Sequence, residues 1–154
     1  MQKLALSDLP YFVRNALSVI AMSEPKETAT IIALRGGLGA GKTTFTQALA
    51  RELGVEEQLV SPTYVLMKSY PLRFARPFPG LEGRFNKLVH LDAYRLEAPE
   101  EFKTLRPEQF LSDPKALVVV EWPEKLGDLL PVPDLIINFS SEGAGEGERY
   151  SEVV

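Results

Sequence analysis

Residues 30–44 read TIIALRGGLGAGKTT, and this stretch decides how the rest of the chain is interpreted. Thr30–Arg35 is a short, β-branched and apolar run, which predicts a buried strand. It continues directly into Gly36–Thr43, which has the spacing G-x-x-x-x-G-K-[ST] of a phosphate-binding loop. A helix with one apolar face follows, and its apolar residues are Phe45, Ala48, Leu49 and Leu53. A strand, a glycine loop and a helix in this order are the context in which that spacing binds phosphate.

The residue types in the loop have a physical reason. Glycines allow positive φ and let the backbone wrap closely around a phosphate group. Successive N–H groups and the N-terminus of the following helix direct positive potential at the anion. Lys42 is expected to reach the β- and γ-phosphates, and the Thr43 hydroxyl to ligate Mg²⁺. The alternative is a glycine turn without a ligand, but the flanking strand and helix favour nucleotide binding by Gly36, Gly39, Ala40, Gly41, Lys42, Thr43 and Thr44.

The remaining pattern alternates strands with helices. Further strands are predicted at 65–70, 88–91, 116–120 and 135–139, with an edge strand at 150–154. An amphipathic helix follows the N-cap candidate Ser7, and a second helical segment lies between Glu97 and Phe110, where Pro107 must interrupt or restart it. We therefore predict an α/β fold, a P-loop NTPase-like three-layer sandwich with a mostly parallel central sheet and helices on both faces. Residues 71–86 are predicted to form an irregular insertion between two strands.

Composition excludes several classes of protein. The 154 residues suit a single domain spanning 1–154, and the net charge of −4 does not suit a protein that binds nucleic acid mainly by charge. The chain has no cysteine and one histidine, which excludes disulfides, thiolate zinc sites, a cysteine nucleophile and multi-histidine metal sites. No apolar run is long enough for a transmembrane helix, so we expect no membrane association and a cytoplasmic location.

A phosphate loop needs a further acid for Mg²⁺ or for the attacking water, and two are available. Asp92 follows the strand LVHL, and Glu121 follows ALVVV; from the sequence either could be the acid or a simple turn residue. Thr63 lies on a loop after the phosphate-loop helix, where a switch threonine could sense a γ-phosphate. His90 is expected to serve strand packing, and Trp122 either the core or the face of an adenine ring.

The base is expected to be adenine. The Asn-Lys-x-Asp signature of GTPases is absent, because the only Asn-Lys pair, Asn86-Lys87, is followed by Leu88-Val89. No Asp-x-x-Gly follows the strand that ends at Asp92. We therefore expect ATP and Mg²⁺ as the cofactors.

Four motifs in order resemble one family. These are GGLGAGKTT (36–44), SPTY (61–64), HLDAYRL (90–96) and EWPEK (121–125), and together they resemble the bacterial TsaE family of P-loop ATPases required for threonylcarbamoyladenosine in tRNA. The resemblance covers most of the chain and implies that residues 39–44 bind the ATP phosphates. It also implies that Thr43 and Glu121 hold Mg²⁺, and that Asp92 acts near the metal or on the attacking water. Lys42 and Asp92 would then be catalytic with Thr63 as the switch residue, and Trp122 and Arg149 would lie near the nucleotide.

The resemblance also implies a mechanism and partners. ATP hydrolysis, weak in the isolated chain, would be coupled to the TsaD–TsaB pair, with threonylcarbamoyl transfer taking place on TsaD and tRNA reached only through that complex. Hydrolysis would reset the complex between cycles of transfer.

Two other functions fit the same motifs. A small-metabolite or nucleoside kinase would need a basic lid, and segment 68–87 carries Lys68, Arg73, Arg76, Arg84 and Lys87 against one acid, Glu82. This segment could be such a lid, a loop that faces a partner or tRNA, or a solvated insertion. A non-hydrolysing nucleotide switch would need only a different partner affinity in its two nucleotide states.

Overall fold

One mixed β-sheet organises the protein. The computed structural model describes residues 1–59, 66–72 and 78–154, and within these ranges seven strands pair in the order β1-β7-β6-β2-β5-β4-β3. The strands are β1 Gln2–Ala5, β2 Thr30–Arg35, β3 Met67–Pro71, β4 Lys87–Asp92, β5 Ala116–Glu121, β6 Leu135–Ser140 and β7 Glu148–Val153. The helices are α1 Leu9–Met22, α2 Lys42–Glu52 and the single turn α3 Glu108–Leu111. No helix in the described ranges is long and apolar enough to span a bilayer.

The centre of the sheet is parallel and its edges are antiparallel. Strands β6, β2, β5 and β4 run parallel to one another, whereas β3 pairs with β4, β7 with β6, and β1 with β7 in antiparallel fashion. All residues of β5 are buried, as expected for a central strand covered on both faces. The predicted α/β fold with a parallel central sheet is confirmed.

Alternation along the strands divides the core into two layers. On one face, Leu117 and Val119 of β5 pack in a cluster with Phe12 and Leu17 of α1 and Phe45 of α2. α1 shows the apolar spacing that the sequence predicts, and its buried residues are Leu9, Phe12, Val13, Ala16, Leu17 and Ile20. The two long helices therefore cover the same face of the sheet.

The opposite face is covered by short turns instead of long helices. Val118 and Val120 of β5 pack there with Phe102, Phe110 and Leu126. The helical segment predicted between Glu97 and Phe110 is a 3₁₀ turn, Pro99–Leu105, followed by α3. Arg106 between them adopts a left-handed conformation with φ 50°, and Pro107 then restarts the helix as its N-cap. Pro107 lacks the N–H that a continuous helix requires, which explains the break.

The N-terminus differs from the prediction. Gln2–Ala5 forms the edge strand β1, which the sequence pattern did not indicate, and a 3₁₀ turn, Leu6–Asp8, separates it from α1. The helix therefore begins at Leu9 with Asp8 as its N-cap, not at Ser7. A strand of four residues is too short to show a clear alternation, so the periodicity of α1 dominates the sequence signal.

The described part of the predicted insertion is anchored to α1. Leu72 and Leu81 are buried against the α1 and α2 face of the core. The Arg84 guanidinium donates to the Ile20, Ser23 and Glu24 carbonyl oxygens at 2.8, 3.0 and 3.3 Å, at the C-terminal end of α1. The last carbonyls of a helix have no partners within it, and Arg84 binds one of them, that of Ile20, which the Ser23 N–H and hydroxyl also reach, together with two carbonyls just beyond the helix.

We expect Arg84→Ala to lower the free energy of unfolding by about 1–3 kcal/mol, since several charge-assisted hydrogen bonds are lost together. Urea unfolding followed by circular dichroism measures the change. The control is Lys103→Ala, which removes an exposed cation and should stay within about 0.5 kcal/mol of wild type. Equal effects of the two substitutions would contradict a capping role for Arg84.

Candidate nucleotide site

The loop between β2 and α2 has a backbone that only glycine can adopt at its first position. Gly36 has φ +138°, and a Cβ added there would lie 2.3 Å from the Phe139 carbonyl oxygen of β6. Gly39 and Gly41 also have positive φ, 70° and 105°, and Gly41 is the N-cap of α2. The loop thus passes directly over the end of β6 and delivers the N-terminus of α2 to the edge of the sheet formed by the carboxyl ends of the parallel strands.

Lys42 is held inside the loop. Its ammonium donates to the Gly36 and Gly37 carbonyl oxygens at 2.6 and 2.7 Å and lies 4.3 Å from the centre of the Trp122 ring. Burial lowers the pKa of Lys42, and the neighbouring carboxylates of Glu121 and Asp92 act in the opposite direction. The loop therefore holds a desolvated cation at the point where the sequence predicts phosphate.

Thr43 and Glu121 meet at the end of the central strand. The Thr43 hydroxyl donates to the Glu121 carboxylate, with distances of 3.0 and 3.1 Å to its two oxygens. Glu121 is the last residue of β5 and is 2% exposed. The first turn of α2 and the end of β5 therefore place a hydroxyl and a carboxylate side by side.

His90 joins the same group. Its Nε2 lies 2.8 Å from Glu121 Oε1, and the ring is fully buried in β4. The sequence indicated strand packing for this residue, and the structure adds a polar contact that packing alone did not suggest. The signal was present in the strand period, because His90 lies two residues before Asp92 and so points to the same face of the sheet.

Asp92 lies at the end of β4, opposite Glu121 in the parallel pairing. Its Oδ1 accepts the Tyr94 N–H at 3.0 Å, which closes a local turn. Burial raises the pKa of Asp92, the Tyr94 hydrogen bond lowers it, and the Glu121 carboxylate raises it further. Of the two candidate acids, Glu121 is the one bonded to Thr43, whereas Asp92 faces the pocket beside it.

Trp122 and Arg149 bound the loop on two sides. Trp122 has the left-handed conformation, φ 59° and ψ 51°, its N–H donates to the Leu34 carbonyl oxygen at 3.3 Å, and its ring lies 5.1 Å from that of Tyr94. Arg149 of β7 donates through Nε to the Gly39 carbonyl oxygen at 2.9 Å. The left-handed conformation is uncommon for a residue other than glycine, and it occurs here where the chain leaves β5 beside Lys42.

A pocket of about 500 Å³ lies over these residues. The lining residues near the ends of β4 and β5 include Lys42, Thr43, Asp92, Glu121 and Trp122. The apolar lining residues Leu4, Leu6, Leu9 and Leu38 come from the N-terminal segment and the loop, and three strands separate β1, which carries Leu4, from β5. The sequence did not indicate this N-terminal wall, because it depends on β1 pairing with β7, and nothing local predicts that pairing.

The structure brings most of the predicted site residues to this pocket. Its lining includes Gly39, Ala40, Gly41, Lys42, Thr43, Thr44, Asp92, Glu121, Trp122 and Arg149. Gly36 is not among the lining residues and contacts the end of β6 instead, so its role in binding stays a prediction. Thr63, with the rest of SPTY, lies outside the described residues, and its switch role also stays a prediction.

The basic segment 68–87 is partly structural. Arg84 caps α1, and the Lys87 ammonium lies 2.6 Å from Asp113 Oδ2. The Lys68 ammonium lies 5.1 Å from the centre of the Tyr70 ring. Arg73 and Arg76 lie outside the described residues. Arg84 and Lys87 are thus bonded to the body of the protein, and these two contacts do not favour a kinase lid.

Comparisons with a family model and with known proteins identify the same family. The family model described as "Threonylcarbamoyl adenosine biosynthesis protein TsaE" matches residues 14–150. A protein from Nostoc sp. (strain PCC 7120) named tRNA threonylcarbamoyladenosine biosynthesis protein TsaE is 35% identical over 137 residues, which are 87% of this chain and 75% of that protein. A protein of the same name from Treponema pallidum is 31% identical over 123 residues, 80% of each chain.

A solved structure agrees on the fold. The crystal structure of Bacillus subtilis YdiB superposes with a TM-score of 0.57 and covers 97% of this chain and 83% of that one. The sequence identity is 23%, so this likeness speaks for the fold alone.

Gly36→Ala is expected to lower the free energy of unfolding by roughly 3 kcal/mol, since the new methyl group meets a backbone carbonyl and the residue keeps a strained φ. The matched control is Gly37→Ala, where no atom lies within 4 Å of the added Cβ. That variant should stay within about 1 kcal/mol of wild type. Urea unfolding separates the two, and an equally mild effect at Gly36 would show that the loop does not pass this close to β6.

Proposed function

Because the chain belongs to the TsaE family of threonylcarbamoyl adenosine biosynthesis proteins, we propose that it binds and hydrolyses ATP with Mg²⁺ in support of threonylcarbamoyladenosine formation in tRNA. The observation that carries the proposal is the hydrogen bond from Thr43, at the start of a phosphate-loop helix, to the buried Glu121 carboxylate. A glycine turn that only joins a strand to a helix would have no need of a buried carboxylate at that point, because burying one is costly.

The phosphates of ATP are proposed to lie on the loop. Backbone N–H groups at the N-terminus of α2 and the Lys42 ammonium supply the positive potential there. The low-dielectric surroundings of Lys42 strengthen its attraction for phosphate oxygens. When nucleotide binds, the ammonium is expected to share its hydrogen bonds between the loop carbonyls and the phosphates, since it has three donors.

Thr43 and Glu121 have the donor set that Mg²⁺ prefers. Mg²⁺ in nucleotide sites takes one or two protein oxygens and completes its shell with phosphate and water oxygens. Within the described ranges, no group of three or more His, Cys, Asp or Glu side chains is arranged to hold a metal ion. Thr43 and Glu121 would hold the ion, which would supply charge neutralisation at the transferring phosphoryl group. Asp92, half-buried beside them, is proposed to orient the attacking water.

The two ends of the pocket suggest how the nucleotide is oriented. Trp122 lies against the Lys42 ammonium, which places the indole at the phosphate end. The apolar wall formed by Leu4, Leu6, Leu9 and Leu38 is then proposed to receive the adenine ring, with Arg149, which pairs with Leu4, beside it. The proposed switch role of Thr63 rests on the resemblance to the family alone.

The proposed partners are the TsaD–TsaB pair, and tRNA is proposed to be reached through that complex. The proposed location is the cytoplasm. The net charge of −4 gives the chain no general attraction for nucleic acid. Energy from the γ-phosphate is proposed to change the conformation of the complex and not to modify tRNA on this chain. The non-hydrolysing switch is the alternative that the experiments below must exclude.

Lys42→Ala is expected to weaken binding of ATP at least tenfold, because it removes the main side-chain charge from the phosphate end. Isothermal titration calorimetry with ATP and Mg²⁺ measures the loss. Lys125→Ala, an exposed lysine beyond Trp122, is the control and should bind as wild type does. Unchanged binding by the Lys42 variant would remove the phosphate site from the loop.

Glu121→Gln is expected to reduce phosphate release from Mg-ATP by about 10²-fold or more, while ATP still binds in EDTA. The matched control is Glu124→Gln, which neutralises an exposed acid three residues further along. Release should be measured for the chain alone and with the TsaD–TsaB pair. Strong stimulation of wild type by the pair supports the proposal; tight ATP binding without release in either case favours the non-hydrolysing switch.

A further inference from the structure

The proposed nucleotide site gives no reason for the buried contact between His90 and Glu121. His90 is 0% exposed and Glu121 is 2% exposed, and they come from the neighbouring parallel strands β4 and β5. His90 is the only histidine in the chain. Buried apolar residues fill the neighbouring strand positions, and a leucine or valine would pack there without a polar cost. An imidazole at this position therefore indicates a requirement for its ring nitrogens.

The hydrogen-bond roles in this pair follow from the state of Glu121 that would hold a metal ion, the ionised carboxylate. An ionised carboxylate only accepts hydrogen bonds, so the 2.8 Å contact then has His90 Nε2 as its donor. His90 Nδ1 is buried and has no hydrogen-bond partner among the described residues. A hydrogen on Nδ1 would thus be left without an acceptor, which favours the tautomer with its proton on Nε2.

The Glu121 carboxylate is held from two directions as a result. Oε1 accepts from His90 at 2.8 Å, and the Thr43 hydroxyl lies 3.0 and 3.1 Å from the two oxygens. A carboxylate with only the threonine contact could rotate about its last bonds. Rotation would break the His90 contact with Oε1, so the carboxylate is held with both oxygens within reach of the Thr43 hydroxyl.

We propose that His90 is a positioning residue that orients the Glu121 carboxylate towards Thr43 and thereby sets the affinity of the site for Mg²⁺–nucleotide. The inference rests on the proposed function, since it concerns the same metal site. Hydrogen-bond partners of metal ligands fix the orientation of those ligands, and their removal costs about 10–100-fold in metal affinity. A histidine that served packing alone would affect stability and leave the dependence on Mg²⁺ unchanged.

The first test uses the wild-type chain without substitution. Because the chain has one histidine, its two ring nitrogens give the only imidazole signals in a nitrogen NMR spectrum of the ¹⁵N-labelled protein. A proton on Nε2 is expected. A proton on Nδ1 alone would overturn the proposal, because Nε2 could then not donate to Glu121.

The second test compares three variants by the gain in affinity that Mg²⁺ gives. Affinity for a non-hydrolysable ATP analogue is measured by calorimetry with Mg²⁺ and again with EDTA. In His90→Gln the new amide nitrogen lies about as far from the backbone as the histidine Nε2. The gain in affinity that Mg²⁺ gives should therefore stay within about threefold of that of wild type. His90→Leu and His90→Asn have no donor within reach of Oε1, and both should lose about tenfold or more of the gain. Affinity in EDTA should stay within about twofold for all three.

The outcomes separate this inference from the proposed function. His90→Asn replaces His90→Leu in the comparison if the leucine variant does not fold by circular dichroism. A full Mg²⁺ gain in the donor-free variants, or an equal loss in His90→Gln, would overturn the positioning role while wild type still bound nucleotide. A wild-type chain that bound no nucleotide in either buffer would overturn the proposed function, and this inference with it.

Discussion

The buried carboxylate of Glu121 is the constraint on which the rest of the site depends. Removing a carboxylate from water costs several kcal/mol unless hydrogen bonds replace its hydration. Here the replacements come from two other elements, the first turn of α2 through Thr43 and strand β4 through His90. Because these donors must meet at the end of β5, the crossover from β2 through α2, the β4–β5 pairing and the orientation of the helix are all tied to one side chain.

The glycine loop that precedes α2 is itself held in place by the sheet and by its own lysine. Gly36 passes within contact of the Phe139 carbonyl, and Lys42 bonds back to the first two glycines of the loop. The loop is therefore supported from beneath by β6 and from within by its own lysine. Because the loop is already held in place, binding of an anion would cost little further conformational entropy. Such preorganisation favours both binding and the stabilisation of charge.

Much of this arrangement could be predicted from the sequence, because it is encoded locally. The phosphate loop has a spacing, the strands have apolar runs, and the acids Asp92 and Glu121 stand at the ends of those runs. Features that depend on distant pairings could not be read in the same way. Strand β1 has four residues and is recognisable only through its pairing with β7. The choice of Glu121 over Asp92 as the partner of Thr43 depends on the strand order, in which β5 and not β4 lies next to β2. The spacing of apolar residues also does not distinguish an α-helix from the 3₁₀ turn before Pro107, in which Phe102 packs in the core.

The pairing of β1 with β7 has a consequence for folding. Leu4 pairs with Arg149, so one wall of the pocket joins residues from nearly opposite ends of the chain. Closing so long a loop costs entropy before any contact is gained, and contacts of this kind slow the folding of a chain. The β1–β7 wing, Gln2–Ala5 and Glu148–Val153, is expected to open by local unfolding more readily than the central strands, since β1 has a neighbour on one side only. A ligand that filled the pocket would therefore protect the amide hydrogens of this wing from exchange more than those of the central strands.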